Sequence, residues 1–342
     1  MVNLHFMKPL VIFISLLVGT QLAFAQKGKI AKTDLVYLQK LNDSLAKTGI
    51  AMLDDLSPAN RLRADSLFTR QLVRGLIRPY SFYFAFDSLT FAPVLYAPDS
   101  SFRVITWHYS LNDADFRQKG VLQLNTKDGS AKFFPLFDVS DYTDEPQDSI
   151  RDHRNWIGAI YYNIVMHEVG GQKVYTLFGY DENNSVTTRK WMEILTFSPE
   201  GEPRFGGNFF RIPTNTGFGP QQKRFFLEYK TGARARLNFD KEEGLVIMDY
   251  LVSETNEPDK VYTLVPGGDY SGFKWNRDAW EYIPMLSTDV LTDGNEPRPA
   301  LILSTDGYAD EKVLQKQSEK NMKNAEDKNK PKTAVPKKGK TL

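Results

Sequence analysis

RDHRNWIGAIYYNIVMHEVGGQKVYTLFGYDENNSVTTRKWMEILTF, residues 151–197, is the stretch on which the fold turns. It reads as three consecutive strands joined by two tight reversals. In the first, 156–167, the residues Trp156, Gly158, Ile160, Tyr162, Ile164 and Met166 share one face, and a period of two in aromatic and branched residues signals a strand. Gly170-Gly171 turns the chain into an aromatic and β-branched second strand, 174–180. The polar run Asp181-Glu182-Asn183-Asn184-Ser185 then leads to the third, 189–197. Both reversals hold residues that tolerate positive φ.

Outward from this centre the same period continues in both directions. Upstream lie YSFYFAFDSL (80–89), RVITWHYS (103–110), GVLQLNT (120–126) and AKFFPLFD (131–138). Downstream lie RFFLEYK (224–230), ARARLNFD (233–240), GLVIMDYLV (244–252) and VYTLV (261–265), closed by a turn at Pro266-Gly267-Gly268. Links this short cannot carry parallel crossovers, so the strands form antiparallel meanders. The Gly- and Pro-rich passage 213–220 reads as loop. A weak echo from Ala97, Asn155 and Lys223 keeps a small propeller beside a sandwich as the arrangement of the sheets.

Before Tyr80 the period is helical. Leu35, Leu38, Leu41 and Leu45 mark one helix, with Gly49 at its expected end. Ser57-Pro58 opens a second helix, which stops before Pro79. The expected class is therefore mainly β (α+β), with two N-terminal helices packed on antiparallel sheets.

The ends differ in kind. Lys8, the apolar run 10–18 and Ala23-Phe24-Ala25 make residues 1–25 a cleaved signal peptide, which directs the mature chain to the periplasm or the cell exterior and leaves it no transmembrane segment. Residues 26–79 are then a helical segment, 80–310 the β domain, and 311–342 a Lys-rich tail too poor in apolar side chains to order itself. There is no cysteine, hence no disulfide framework and no thiolate chemistry. The whole chain has a net charge of +1, but the tail holds ten lysines against four acids. With Lys8 in the signal, this leaves 26–310 at −6. Such a body has no general affinity for nucleic acid. The tail is a candidate contact for anionic surfaces.

The runs ADSLFTRQLVRGLIRPYSFYFAFDSL, WIGAIYYNIV, LFGYDENNSVTTRKWMEILTFSPEGEPRFGG and PGGDYSGF resemble a family of uncharacterised secreted proteins from Gram-negative bacteria, over about residues 64–273. The resemblance implies a secreted α-plus-β protein and assigns no catalytic residue.

Motifs that would carry chemistry are weak. His108, His153 and His167 have no second histidine at metal-ligand spacing, and His167-Glu168 lacks the rest of the metalloprotease motif, so neither metal nor cofactor is expected. Ser44-Leu45-Ala46-Lys47 and Lys230-Thr231-Gly232 fit two short motifs of penicillin-recognising enzymes, but strands fill the interval where that chemistry needs a helical domain. The acidic loop DVSDYTDEPQD (138–148) lacks the ligand order of a calcium loop. Trp156, Trp191, Trp275 and Trp280 read as core. Asp249 stands out, because alternation places it with Leu245, Ile247 and Leu251, where burial would raise its pKa.

The candidate site comes from topology. If the first central strand starts near Asn155 and the second returns to the same end by Tyr180, the loop 181–188 lies beside 151–155. That joins His153, Arg154, Asp181, Glu182, Asn183, Asn184 and Arg189 at one rim. The functional expectation is a non-catalytic envelope protein that binds a glycan, a peptide or a protein partner. The alternative is a carboxylate-dependent hydrolase of cell-wall or polysaccharide substrates.

Overall fold

A computed structural model describes residues 29–286, apart from 113, 114, 215, 216 and 219–221. The signal read at 1–25 and the tail read at 311–342 lie outside the described residues. Helices α1 (Lys32–Asp54) and α2 (Pro58–Leu76) come first. Leu38, Leu41, Leu45 and Met52 of α1 meet Phe68, Leu72 and Leu76 of α2, all of them buried. The expected stop at Gly49 is not a stop, since α1 runs five residues further, to Asp54. Gly49 is there because the Phe91 ring lies against it, and a Cβ would fall 1.9 Å from a ring carbon. No helix among the described residues is long and apolar enough to cross a membrane.

The sheets are antiparallel meanders, as the short links require. Sheet one orders β1 (Val94–Tyr96), β2 (Phe102–Asn112), β3 (Asp115–Leu124) and β4 (Phe133–Phe137). The central sheet runs β5-β9-β8-β7-β6, from β5 (Arg151–Asp152), β6 (Ile160–Val169), β7 (Gln172–Asp181), β8 (Thr187–Phe197) and β9 (Pro203–Phe205). Strand β13 (Arg224–Lys230) lies against residues 187–193 of β8, and β9 against 195–197. The third sheet runs β10-β17-β16-β15-β14, from β10 (Phe210–Arg211), β14 (Leu237–Asp240), β15 (Leu245–Ser253), β16 (Leu264–Asn276) and β17 (Ala279–Ile283). Its β10–β17 pair is parallel. In the passage read as loop, β11 (Pro213–Thr214) and β12 (Gly217–Phe218) form a minimal hairpin.

Alternation along each strand stacks these elements into layers. Sheet one turns Ile105, Trp107, Tyr109 and Val121 to the helices, and Phe102, Val104, Leu122 and Leu136 to the central sheet. The central sheet answers with Tyr175, Leu177, Trp191 and Leu195. From its opposite face Val174, Phe178, Met192 and Ile194 meet Val246, Met248, Phe273 and Trp280 of the third sheet. A sheet covered on both faces needs near-continuous apolar strands, which is why VYTLFGY and WMEILTF read as they do. The sheets are open and stacked like a sandwich, not closed into a propeller.

Two of the charges buried within this stack lie between sheet one and the N-terminal segments. Arg103 is fully buried without a carboxylate. It donates to Gln123 Oε1 at 2.8 Å, to the Ser81 carbonyl at 2.9 Å, and to the Phe84 carbonyl and the Tyr96 hydroxyl. This corrects the strand expected at 80–89. Tyr80 and Phe86 take positive φ (59° and 53°), Ser81–Tyr83 forms a 3-10 turn, and the carbonyls of the segment bend inward to the guanidinium instead of forming a ladder. In the second case, Asp65 of α2, fully buried, accepts from Trp107 Nε1 at 3.1 Å and from Lys119 Nζ, which ties the helices to sheet one.

Three further expectations change. The first central strand starts at Ile160, not Trp156, because β5 lies on one edge of the central sheet and β6 on the other, so 153–159 must cross between them. A bulge between Tyr161 and Asn163 then breaks the expected single face: Tyr161, Ile164 and Met166 look to sheet one, and Tyr162 and Val165 to the third sheet. Pro266-Gly267-Gly268 is no turn either. Strand β16 runs through it, with the register irregularity opposite Asp249 and Leu251.

Candidate functional site

The seven expected site residues do not share one rim. Asp181 pairs with Arg189 at one end of β8. Near the other end, Leu195 pairs with Phe205, which pairs in turn with Arg151. Arg189 and Leu195 are six positions apart, about 20 Å at ~3.3 Å per residue. His153 and Arg154 therefore sit at one end of the strand, while Asp181, Glu182, Asn183, Asn184 and Arg189 sit at the other. The inference failed at the start of the first central strand, whose preceding segment crosses the sheet instead of running straight into it.

The Asp181 end is closed and satisfied from within. Asp181, 4% exposed, accepts from the Asn183 backbone N–H at 2.9 Å and from Gln118 Nε2 of sheet one. Burial pushes its pKa up to about 7, opposed by the Asn183 N–H and Arg189 and reinforced by Asp138 and Glu182. Asp138, raised by burial as well, accepts N–H groups of Ser140, Gly158 and Gln118. Gly158 is required where it stands, since a Cβ would lie 2.5 Å from the Asp138 carboxyl carbon. Asn183, at φ 58°, donates to Thr187 Oγ1 at 2.6 Å and to Glu228 Oε1 at 3.2 Å. Glu228 also takes Arg189 Nε at 2.7 Å, directly across the β8–β13 pair. Asn184 Oδ1 receives the Val186 and Thr187 N–H groups and so closes the turn. Burial raises the half-buried Glu182. His108, on β2 opposite Gln118, is lowered by burial and has no partner for Nδ1.

Between the two ends β8 carries Glu193, 2% exposed. Arg224 Nε meets it at 2.8 Å, and the Tyr161 hydroxyl donates to it while accepting from Trp156 Nε1 at 2.7 Å. The rest of the Arg224 guanidinium goes to the carbonyls of Pro146, Ser149 and Phe205. Three chain segments, 146–149, 156–161 and the one at Phe205, are pinned on this one buried pair.

The β8–β9 end is open. Between 150–155 and 198–204 lies a cleft of about 480 Å³. The 152–155 turn is rigid: Asp152 Oδ1 accepts the Arg154 N–H at 2.8 Å, and Asn155 Oδ1 accepts the Asp152 N–H at 2.8 Å. Opposite, the Ser198 N–H bonds the Glu202 carbonyl at 2.9 Å, and Ser198 Oγ donates to Glu200 at 2.7 Å, which lowers that carboxyl. His153 rests on Phe134, and its Nδ1 faces the Pro135 carbonyl at 2.9 Å. A carbonyl only accepts, so Nδ1 carries the proton and Nε2 is left toward Glu202 at 3.9 Å. Arg151 donates to Ser149 Oγ and the Asn155 carbonyl, and is lowered by burial and by Arg224 behind it. Arg154 and Arg204 are exposed, and no ion pair or side-chain hydrogen bond holds either guanidinium among the described residues.

Asp249 does not lie on a buried face. Val246 and Met248 are the buried positions of β15, and Asp249 lies on its half-exposed side, accepting the Arg236 backbone N–H. Reading the sequence missed Glu228, Gln118 and Asp138 at one end of β8, and Arg151, Arg204 and Glu202 at the other. Of these, only the pairing of Glu228 with Arg189 leaves a trace in the sequence, as opposite charges on two strands, and that pairing spans 39 residues. No family model, no curated protein and no solved structure matches this chain.

Proposed function

We propose that the chain is a non-catalytic binding protein of the cell envelope, exported to the periplasm or the cell surface, which takes a polar ligand in the cleft between 150–155 and 198–204. One observation carries this reading: two exposed guanidiniums, held by no ion pair or side-chain hydrogen bond among the described residues, line an open cleft whose walls are turns fixed by hydrogen bonds at a sheet edge. Loops held by a rigid sheet are where binding groups concentrate. A thermal-shift screen of the mature chain against glycans and peptides tests it, since a ligand of the folded form raises Tm. The reading is lost if none stabilises the protein, or if the rise survives in the Arg154→Ala, Arg204→Ala double variant.

The alternative, hydrolysis of a polysaccharide by carboxylates, draws support from Asp181, because a pKa of about 7 suits a general acid. Against it, Asp181 Oδ1 and both oxygens of Asp138 are taken by backbone N–H groups and Gln118 at the interface of two sheets. Release of reducing sugar that disappears in Asp181→Asn would put hydrolysis in place of binding.

A further inference from the structure

We infer that the ligand is a linear acidic glycan, held by its carboxylate or phosphate groups at Arg151, Arg154 and Arg204 and laid around the β8–β9 turn. This rests on the binding reading above and adds the class of ligand.

The cleft has neighbours. Ile150, Ser198 and Arg204 are shared with a second hollow of about 420 Å³, which Gln172, Thr196 and Asn208 also line. Gln172 and Phe197 are shared in turn with a third hollow of about 420 Å³, reaching Asn125. Sharing these residues, the three adjoin around the turn, an arrangement suited to a chain. Along it amides and hydroxyls stand beside the half-buried rings of Phe197 and Phe209, and the one cation of the third hollow, Lys173, is held by Asp99 at 2.7 Å. Amides and hydroxyls bond sugar hydroxyls, and aromatic faces cover the C–H faces of sugar rings.

The charged end selects an anion. None of its three arginines is in an ion pair among the described residues, although Arg204 acts on Glu200 and Glu193 on Arg151 through space. The nearby acids are partly engaged: Asp152 takes a backbone N–H, Glu200 takes the Ser198 hydroxyl, and Glu202 stands opposite His153. Planar guanidiniums match carboxylate and phosphate oxygens bidentately. A peptide fits less well, because the 152–155 and 198–202 backbones have turned their N–H groups inward and offer no ladder to an extended chain.

Calorimetric titration of the mature chain tests this, with tetragalacturonate and a phosphorylated maltotetraose as acidic probes and maltotetraose and tetraglutamate as controls. At least one acidic sugar is expected to bind about tenfold tighter than maltotetraose, and to weaken about tenfold in Arg154→Gln and again in Arg204→Gln. Whichever acidic sugar binds tighter identifies the oxyanion. Maltotetraose binding as well as the acidic sugars would overturn the inference and leave the binding reading standing, and so would tetraglutamate binding tighter than both. No binding by any probe, together with an unresponsive thermal screen, would end both.

Discussion

At the Thr187 end of β8, Arg189 meets Glu228 at 2.7 Å and Asp181 is enclosed by Gln118 and Asn183, while at the Phe197 end Arg154 and Arg204 stand outside any ion pair among the described residues. The two ends do opposite things with their charges. The closed end lies under sheet one, where an unpaired charge would carry a heavy desolvation penalty, so its charged groups are paired, like Arg189 with Glu228, or pushed toward their neutral forms, like Asp181 and His108. At the open end Arg154 and Arg204 are exposed, and water tolerates a lone guanidinium and leaves it available. A charge cluster is thus a candidate binding surface when its charges are exposed and unmatched, and structural when they are buried and matched.

The strongest way to break this comparison is to remove the pair between the two ends. Arg224→Ala leaves Glu193 buried and unpaired, and urea denaturation should show a loss of about 3–5 kcal/mol. A loss under ~1 kcal/mol would mean that the pair does not anchor β8.

Gly158→Ala comes next. Its Cβ would press on the Asp138 carboxyl and part the closed end, at about 1–3 kcal/mol in the same measurement. Unchanged stability would show that the Asp138 loop yields freely.

Asp181→Asn should act with the opposite sign at neutral pH. A carboxyl raised from the ordinary value to about 7 binds more protons folded than unfolded, so its contribution to stability is largest below pH ~4 and is lost as pH rises to about 7. Asp138, Glu182 and Arg189 are the charges that face it. At pH 8 the variant should be more stable by on the order of 1–3 kcal/mol, and at pH 4 it should differ little. Equal stability differences at both pH values would refute the raised pKa.

The smallest effect belongs to the open end. Arg154→Gln and Arg204→Gln should each leave the unfolding free energy within about 0.5 kcal/mol, because neither side chain has a partner to lose. A larger loss would move these arginines from binding to structure.

The order in which these segments are paired is where reading the sequence met its limit. Period-two alternation marked β2, β3, β7, β8 and β15, and Ser57-Pro58 marked the start of α2, because each signal is local: a strand buries alternate residues, and a helix needs its first turn satisfied. Gly170-Gly171 likewise turns β6 into β7, at φ 58° and 80°. No local signal said that 153–159 crosses the central sheet, that Tyr161 and Asn163 bracket a bulge, or that the carbonyls of 81–84 serve Arg103. Those outcomes depend on partners distant in the chain.

The candidate site divides in the same way. Sequence alone picked out the polar hairpin 181–189 and the charged segment 151–155, since turns hold Asp, Asn and charged residues wherever they face water. Only the tertiary structure decided that one is closed and the other open. Gln118 and Glu228 arrive at the hairpin from strands more than 35 residues away, and Arg204 arrives beside Arg154 through the pairing of β5 with β9. Whether a charge is matched depends on what the fold brings within a few ångströms of it, and at these separations the linear order of the chain carries no trace of that distance.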